Sequence, residues 1–182
     1  MEWIVEMDGR LLLWLRGFFA HPILDRVMLF LTSLGDKGRL WIALGVLFLL
    51  LGFWEGKWRA RGLLVLLSLA ANALLCNLLL KPLAGRTRPY VLFGYDILIP
   101  RLGDYSFPSG HTSASFAAAT AIYAINRRWG IAAYILAALI GFSRLYLGVH
   151  FPTDVLAGAV LGVLAAKAVQ ALLEKKLHIR FN

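Results

Sequence analysis

Residues 61–89 read RGLLVLLSLAANALLCNLLLKPLAGRTRP: the charge-free run Gly62–Leu80 lies between Arg61 and Lys81, and a polar stretch carrying Arg86 and Arg88 follows. An apolar run closed at both ends by a cation reads as a membrane-crossing helix, because long basic side chains can snorkel to the headgroups and extend the span. Four further segments share the pattern. Leu40–Trp54 lies between Arg39 and Glu55, Phe107–Asn126 contains only His111 as a titratable group, Trp129–Ser143 lies between Arg128 and Arg144, and Val155–Ala166 precedes Lys167, with helix expected to about Leu173. At about 1.5 Å per residue some of these cores fall short of a hydrocarbon layer of roughly 30 Å, and the flanking cations supply the difference.

The composition agrees. Of 182 residues, 60% are hydrophobic, and the mean hydropathy is +0.72; a soluble domain is nearer half apolar and richer in charge. The net charge of +9 does not indicate nucleic acid, since the Lys and Arg lie between apolar segments rather than among stacking aromatics. Length implies a single domain over residues 1–182. The one cysteine, Cys76, lies inside an apolar run, where a packing role is expected. No cleavable signal peptide is apparent: Glu2, Glu6 and Asp8 stand where a basic region would, and Leu11–Leu15 is short. Gly9–Leu34 is apolar overall but holds Arg10, Arg16, His21, Pro22, Asp25 and Arg26. It fits either a surface-lying amphipathic helix followed by a short inserted one or a single broken span. Neither internal repeats nor low-complexity tracts occur, and the only long polar connection is Pro82–Ser106, a length that usually carries function.

Successive spans alternate in direction, which brings Lys81, Ser109, Arg144 and His150 to one face. Nine basic residues fall on the other: Lys57, Arg59, Arg61, Arg127, Arg128, Lys167, Lys175, Lys176 and Arg180. Apart from Lys81, Arg88 and Arg144, the first face holds Lys37, Arg39, Arg86 and Arg101. The excess of Lys and Arg places the nine-charge face, and the C-terminus with it, in the cytoplasm.

Three clusters meet on the outer face: Lys81–Pro89, Pro108-Ser109-Gly110-His111, and Ser143-Arg144 followed by His150 and Asp154. Lys81, Arg88 and Arg144 are three cations with no comparable cluster of carboxylates expected to pair them. Arg forks match phosphate oxygens and Lys acts as a point charge. Pro108-Ser109-Gly110 resembles a helix start, where free N–H groups and the positive dipole end hold an anion, Gly110 allows close approach and the Ser109 hydroxyl adds a donor. His150 and Asp154, at i and i+4, share a helical face if a helix begins near Phe151-Pro152. The carboxylate then fixes the imidazole tautomer and leaves the other ring nitrogen free to attack, while His111 protonates the leaving oxygen and later activates water. Phosphoryl transfer needs little beyond positioning, charge stabilisation and an activated nucleophile.

Each cluster alone also has a purely structural explanation. Lys81, Arg86 and Arg88 fit a helix end anchored at the headgroups; Pro and Ser commonly start helices; His150 and Asp154 fit a polar helix–helix contact, although ionisable groups in such segments are functional candidates by default. His21 and Asp25, without matching cations, are expected to be structural. Trp54, Trp58, Tyr90 and Trp129, near span ends, are expected to be interfacial anchors. It is the convergence of the three clusters that points to a site.

At these residues the sequence resembles the type 2 phosphatidic acid phosphatases, integral membrane relatives of the vanadium haloperoxidases. The family pattern is Lys, six residues, Arg-Pro; then Pro-Ser-Gly-His; then Ser-Arg, five residues, His, three residues, Asp. Lys81–Pro89, Pro108–His111 and Ser143–Asp154 match it at every position. The stretches His21-Pro-Ile-Leu-Asp25 and Leu31-Thr-Ser-Leu-Gly35 are similar to small bacterial members. The resemblance implies an all-α bundle of six transmembrane helices in the bacterial cytoplasmic membrane, with its pocket at the outer surface. It also implies His150 as a nucleophile forming a phosphohistidine, Asp154 orienting it, His111 as general acid, and Lys81, Arg88, Ser109, Gly110 and Arg144 binding phosphate. Neither cofactor nor metal is implied, and no cluster has clear metal-ligand spacing. The expected partner is a lipid phosphate within membrane lipid: undecaprenyl diphosphate foremost, with phosphatidylglycerophosphate, phosphatidic acid and lipid A phosphates as alternatives. The oligomeric state is left open. Transfer to an acceptor other than water and a non-enzymatic anion channel or transporter are the competing readings; small size and hydrophobic spans disfavour a haloperoxidase.

Overall fold

Proline and glycine divide the apolar chain into helices. The computed structural model describes residues 2–181; Met1 and Asn182, the end residues of the expected single domain, lie outside the described residues. Helix α1 (Glu2–Phe19) stops before Ala20-His21, and α2 (Pro22–Leu34) starts at Pro22, whose missing N–H costs nothing in a first turn. The His21 side chain caps it, Nδ1 accepting from the Ile23 amide at 3.2 Å. Asp25 accepts from the Tyr146 hydroxyl at 2.6 Å. His21 and Asp25 thus hold the fold together, as expected.

A one-turn 3₁₀ corner, Asp36–Gly38, leads into α3 (Arg39–Leu51). Helix α4 (Lys57–Ala73) widens into a π-type stretch, Leu74–Leu80, and ends in the turn Lys81–Ala84. The widening directly precedes Pro82, whose nitrogen cannot donate and whose ring crowds the carbonyl four residues back. The short α5 (Pro89–Leu92) follows, then an irregular stretch, then α6 (Gly110–Ile125), α7 (Arg127–Tyr146) and α8 (Pro152–Leu177). The Asn126 side chain starts α7 by accepting from the Arg128 and Trp129 amides.

Apart from the single turn α5, the described residues form seven helices rather than the expected six, because the N-terminal region divides at Ala20–Pro22 into two. Three segments, Lys57–Leu92, Arg127–Tyr146 and Pro152–Leu177, are long and apolar enough to cross a membrane. Pro82–Ser106 is not uniformly structureless, since it includes the end of α4 and all of α5.

Helix α6 is the central element. Its buried positions are mostly small: Ser113, Ser115, Ala117, Ala118, Ala119, Thr120 and Ala121. Ala118, Ala119 and Ala121 pack in one cluster with Trp41 of α3, Leu64 and Val65 of α4, and Ala137 and Ile140 of α7, and Trp41 Nε1 donates to the Ser115 hydroxyl at 3.0 Å. Large apolar side chains on the outer helices point outward instead, among them Leu78, Ile135, Val160 and Leu164. An apolar exterior around a small-residue interior suits a lipid solvent, where close backbone approach rather than hydrophobic burial drives association.

The contact of α6 with α8 sets the site. Within Gly158-Ala-Val-Leu-Gly162, a Cβ on Gly162 would fall 2.2 Å from the Ser113 carbonyl oxygen, and one on Gly158 would fall 2.7 Å from that of Ser109. Only bare glycine lets the two backbones meet at this distance. The N-terminal ends of both helices consequently lie side by side, and the Ser109 amide donates to the Asp154 carbonyl at 3.0 Å.

Gly162→Leu should therefore separate the two helices. Overpacking of this kind costs about 1–3 kcal/mol, read as a lowered Tm in detergent with loss of activity. Gly17→Ala, in α1 with nothing within 4 Å of the new methyl, should leave Tm unchanged or slightly raised.

Candidate active site

The ends of four elements bound one cavity of about 700 Å³. Lys81 enters from the last turn of α4, Gly110 and His111 from the first turn of α6, Arg144 from the last turn of α7, and His150 from the α7–α8 connection, with Arg88 from the segment before α5. Six of the eight sequence-predicted residues thus line a common space. Asp154 and Ser109 stand behind it, fully buried. The Ser109 hydroxyl caps α6, accepting from the Thr112 amide at 3.5 Å and from the Thr112 hydroxyl at 2.9 Å.

His150 is held from both sides. Its Nδ1 lies 3.5 Å from Asp154 Oδ2 and 3.5 Å from Ser106 Oγ; Nε2 lies 3.3 Å from Arg88 Nη1. The helix does begin at Pro152, and Asp154 Oδ2 accepts from the Phe151 amide at 2.8 Å, the reciprocal half of a capping box. Ser106 donates to the same oxygen at 2.5 Å, and Arg86 donates to Oδ1 at 2.6 Å. Burial pushes the His150 imidazole down to about 3; the bond to Asp154 opposes this, and the charges of Arg88 and Arg144 reinforce it. The nucleophile candidate is therefore neutral at ordinary pH.

The cations differ in how they are paired. Lys81 and Arg88 both meet the Asp104 carboxylate, Arg88 Nη2 at 2.7 Å. Arg88 also donates to the carbonyls of Asp104 and Val149, each at 2.8 Å. Burial works to raise the Asp104 carboxyl, yet the two cations outweigh it and hold it down to about 2. This corrects the expectation that no carboxylate pairs the cluster: Asp104, on the irregular stretch, occupies Lys81 and Arg88. Arg144 is different. It is 1% exposed, its Nη1 donates to the Thr32 hydroxyl, and its Nε and Nη2 are buried with no partner.

Sequence reasoning missed several neighbours. Arg86, counted as an ordinary charge on its face, bridges Asp154 to Asp8 of α1, the latter at 2.7 Å, and its guanidinium lies 4.0 Å from the centre of the Phe151 ring. Asp36 Oδ1 lies 3.0 Å from His111 Nε2. Thr32 and Gly35 belong to the Leu31–Gly35 stretch noted above, the one signal that could have drawn attention to this corner. Tyr90 is not an interfacial anchor: it is 2% exposed, and its hydroxyl bonds the Leu102 backbone. Cys76 is buried as expected. Among the described residues, no group of three or more His, Cys, Asp or Glu is placed to hold a metal.

A family model described as the PAP2 superfamily matches residues 61–177. The chain is 31% identical over 153 residues to the undecaprenyl-diphosphatase BcrC of Bacillus subtilis, covering 82% of this chain and 76% of that protein. It is 30% identical over 185 residues to a lipid A 4'-phosphatase of Porphyromonas gingivalis, covering 93% and 74% respectively. The crystal structure of a transmembrane PAP2-type phosphatidylglycerolphosphate phosphatase from Bacillus subtilis superposes with a TM-score of 0.82 at 31% identity, covering 96% of this chain and 88% of that one.

Proposed function

The chain belongs to the PAP2 superfamily, and from that premise we propose that it is a multi-pass membrane phosphatase, one domain over residues 1–182, that removes phosphate from a lipid phosphate or diphosphate through a phosphohistidine. The observation carrying this reading is the composition of this cavity. At one end are His150, His111 and an Arg144 with two unpartnered buried nitrogens; at the other are Ile42, Leu66, Leu69, Ala70 and Ala73. A buried cation lacking a partner favours an anion, and the apolar end suits a hydrocarbon tail beside it.

Chemically, the Nε2 of neutral His150 attacks phosphorus while Asp154, fixed by Ser106, Arg86 and the Phe151 amide, stabilises the imidazolium that develops at Nδ1. Arg144, Arg88, Lys81 and the amides at the start of α6, Gly110 among them, gather the phosphoryl oxygens; Ser109 holds that start in place. Entry of the substrate phosphate displaces the Asp104 carboxylate from Lys81 and Arg88. His111 protonates the leaving oxygen and afterwards draws a proton from the water that releases phosphate. Undecaprenyl diphosphate is the foremost substrate, with phosphatidylglycerophosphate and lipid A phosphates next, in keeping with what the relatives are named for.

Purified protein should release phosphate from undecaprenyl diphosphate or a glycerophospholipid phosphate in the presence of chelator, with inhibition by vanadate. His150→Ala should lower kcat to background with Tm kept. Because burial keeps His150 neutral at ordinary pH, the pH profile of kcat/KM should show no acidic limb from His150 between about pH 5 and 9. Release from no lipid phosphate would leave an anion conduit, and appreciable turnover by His150→Ala would remove it as nucleophile.

The basic-residue asymmetry supports placing the cavity on the outer face of the cytoplasmic membrane. With Cys76→Ser as background, an impermeant maleimide should label Arg101→Cys in intact cells and spare Lys175→Cys; the reverse pattern inverts the topology.

A further inference from the structure

The corner between α2 and α3 carries a second carboxylate–imidazole pair. His111 Nε2 lies 3.0 Å from Asp36 Oδ1, and the contact is built from the backbone upward. Asp36 opens the Asp36–Gly38 turn, whose Lys37 and Gly38 adopt φ of 51° and 66°. Such left-handed residues turn the chain within one step and are unfavourable for a side chain such as that of Lys37. Gly35, immediately before, has no side chain, and a Cβ there would come within 2.8 Å of His111 Cδ2. The ring therefore lays its Cδ2–Nε2 edge on Gly35 and Asp36. Its opposite edge, carrying Nδ1, has no hydrogen-bond partner among the described residues, and His111 lines the cavity.

We propose that Asp36 is a positioning residue for His111, holding Nε2–H so that Nδ1 is the atom that delivers the proton. This rests on the phosphatase reading above. As His150 Nε2 bonds to phosphorus and the P–O bond to the leaving group breaks, the Nδ1 proton passes to the departing oxygen. His111 is left neutral, its Nε2–H still on Asp36, with Nδ1 free to take a proton from the incoming water. The charged groups facing His111 come from three sides: Arg144 of α7, Lys81 of α4 and Asp36 of the corner. Lys37 lines the same cavity. Among the described residues, Asp36 is the carboxylate bonded to this ring, while Asp104, which lines the same cavity, is bonded to Lys81.

The test compares kcat/KM on two substrates for wild type, Asp36→Asn and Asp36→Glu. A dialkylglycerol phosphate leaves as an alkoxide and needs the proton; p-nitrophenyl phosphate leaves as a stable phenolate and does not. Asp36→Asn should lose roughly 10- to 100-fold on the lipid phosphate. The aryl phosphate should be hydrolysed within about twofold of wild type, which also reports an intact fold, and Asp36→Glu should recover part of the lipid activity. Equal losses on both substrates, or no loss on the lipid, overturn the role of Asp36 while leaving the phosphatase reading intact. Wild type inactive on both substrates removes both.

Discussion

Arg144 sets the terms for the whole site. A guanidinium at 1% exposure, with two nitrogens unbonded, is an expensive object to bury. Several kcal/mol of lost hydration must be returned by something of opposite charge. Thr32 returns only a neutral hydroxyl, and the carboxylate nearest the other cations, Asp104, is spent on Lys81 and Arg88. A tetrahedral anion beside Arg144 can settle that electrostatic debt. Everything else around it either fixes the geometry in which that anion sits or supplies the groups that act on it.

That geometry depends on backbone contact rather than on bulky packing. Gly158 and Gly162 bring α8 against α6 until carbonyl and glycine touch. The starts of both helices are locked in register, and with them His150, Asp154, Gly110 and His111. Because α7, which joins them in chain order, runs in the opposite direction, its last turn returns Arg144 to the same end. In a hydrocarbon solvent, which satisfies no backbone polar group, helices bond their own backbone groups while carrying these residues to one surface. The two histidines then acquire separate surroundings. Asp154 sits behind His150 under Ser106 and Arg86, while Asp36 meets His111 from a different corner of the chain.

The sequence showed the helical membrane character and the three clusters clearly, since each cluster sits at a helix end, where local chemistry and alternating direction determine position. Pro152 and Ser109 begin their helices where expected for the same local reason. What was hidden depended on the course of irregular backbone. Asp104 reaches Lys81 only because the stretch after α5 folds back over the cavity, so the cations looked unpaired. Asp36 and Ser106 have no motif of their own, and Arg86 was indistinguishable from a headgroup anchor until Asp8 and Asp154 closed around it. Tyr90 was misread for a related reason: nearness to a span end says nothing about whether a loop covers it. The seventh helix arose at Pro22, where a broken span and two separate helices have the same sequence signature.

The central claim is that His150 forms a bond to phosphorus, and rapid acid-free quenching of the enzyme during turnover of a lipid phosphate, followed by peptide mass spectrometry, addresses it most directly. A phosphoryl group should be found on the peptide containing His150, labile to acid and stable to base, accumulating in a His111→Ala variant supplied with an aryl phosphate. A phosphoryl group on any other side chain, or an enzyme that turns over with none at His150 under conditions that preserve phosphohistidine, would contradict it.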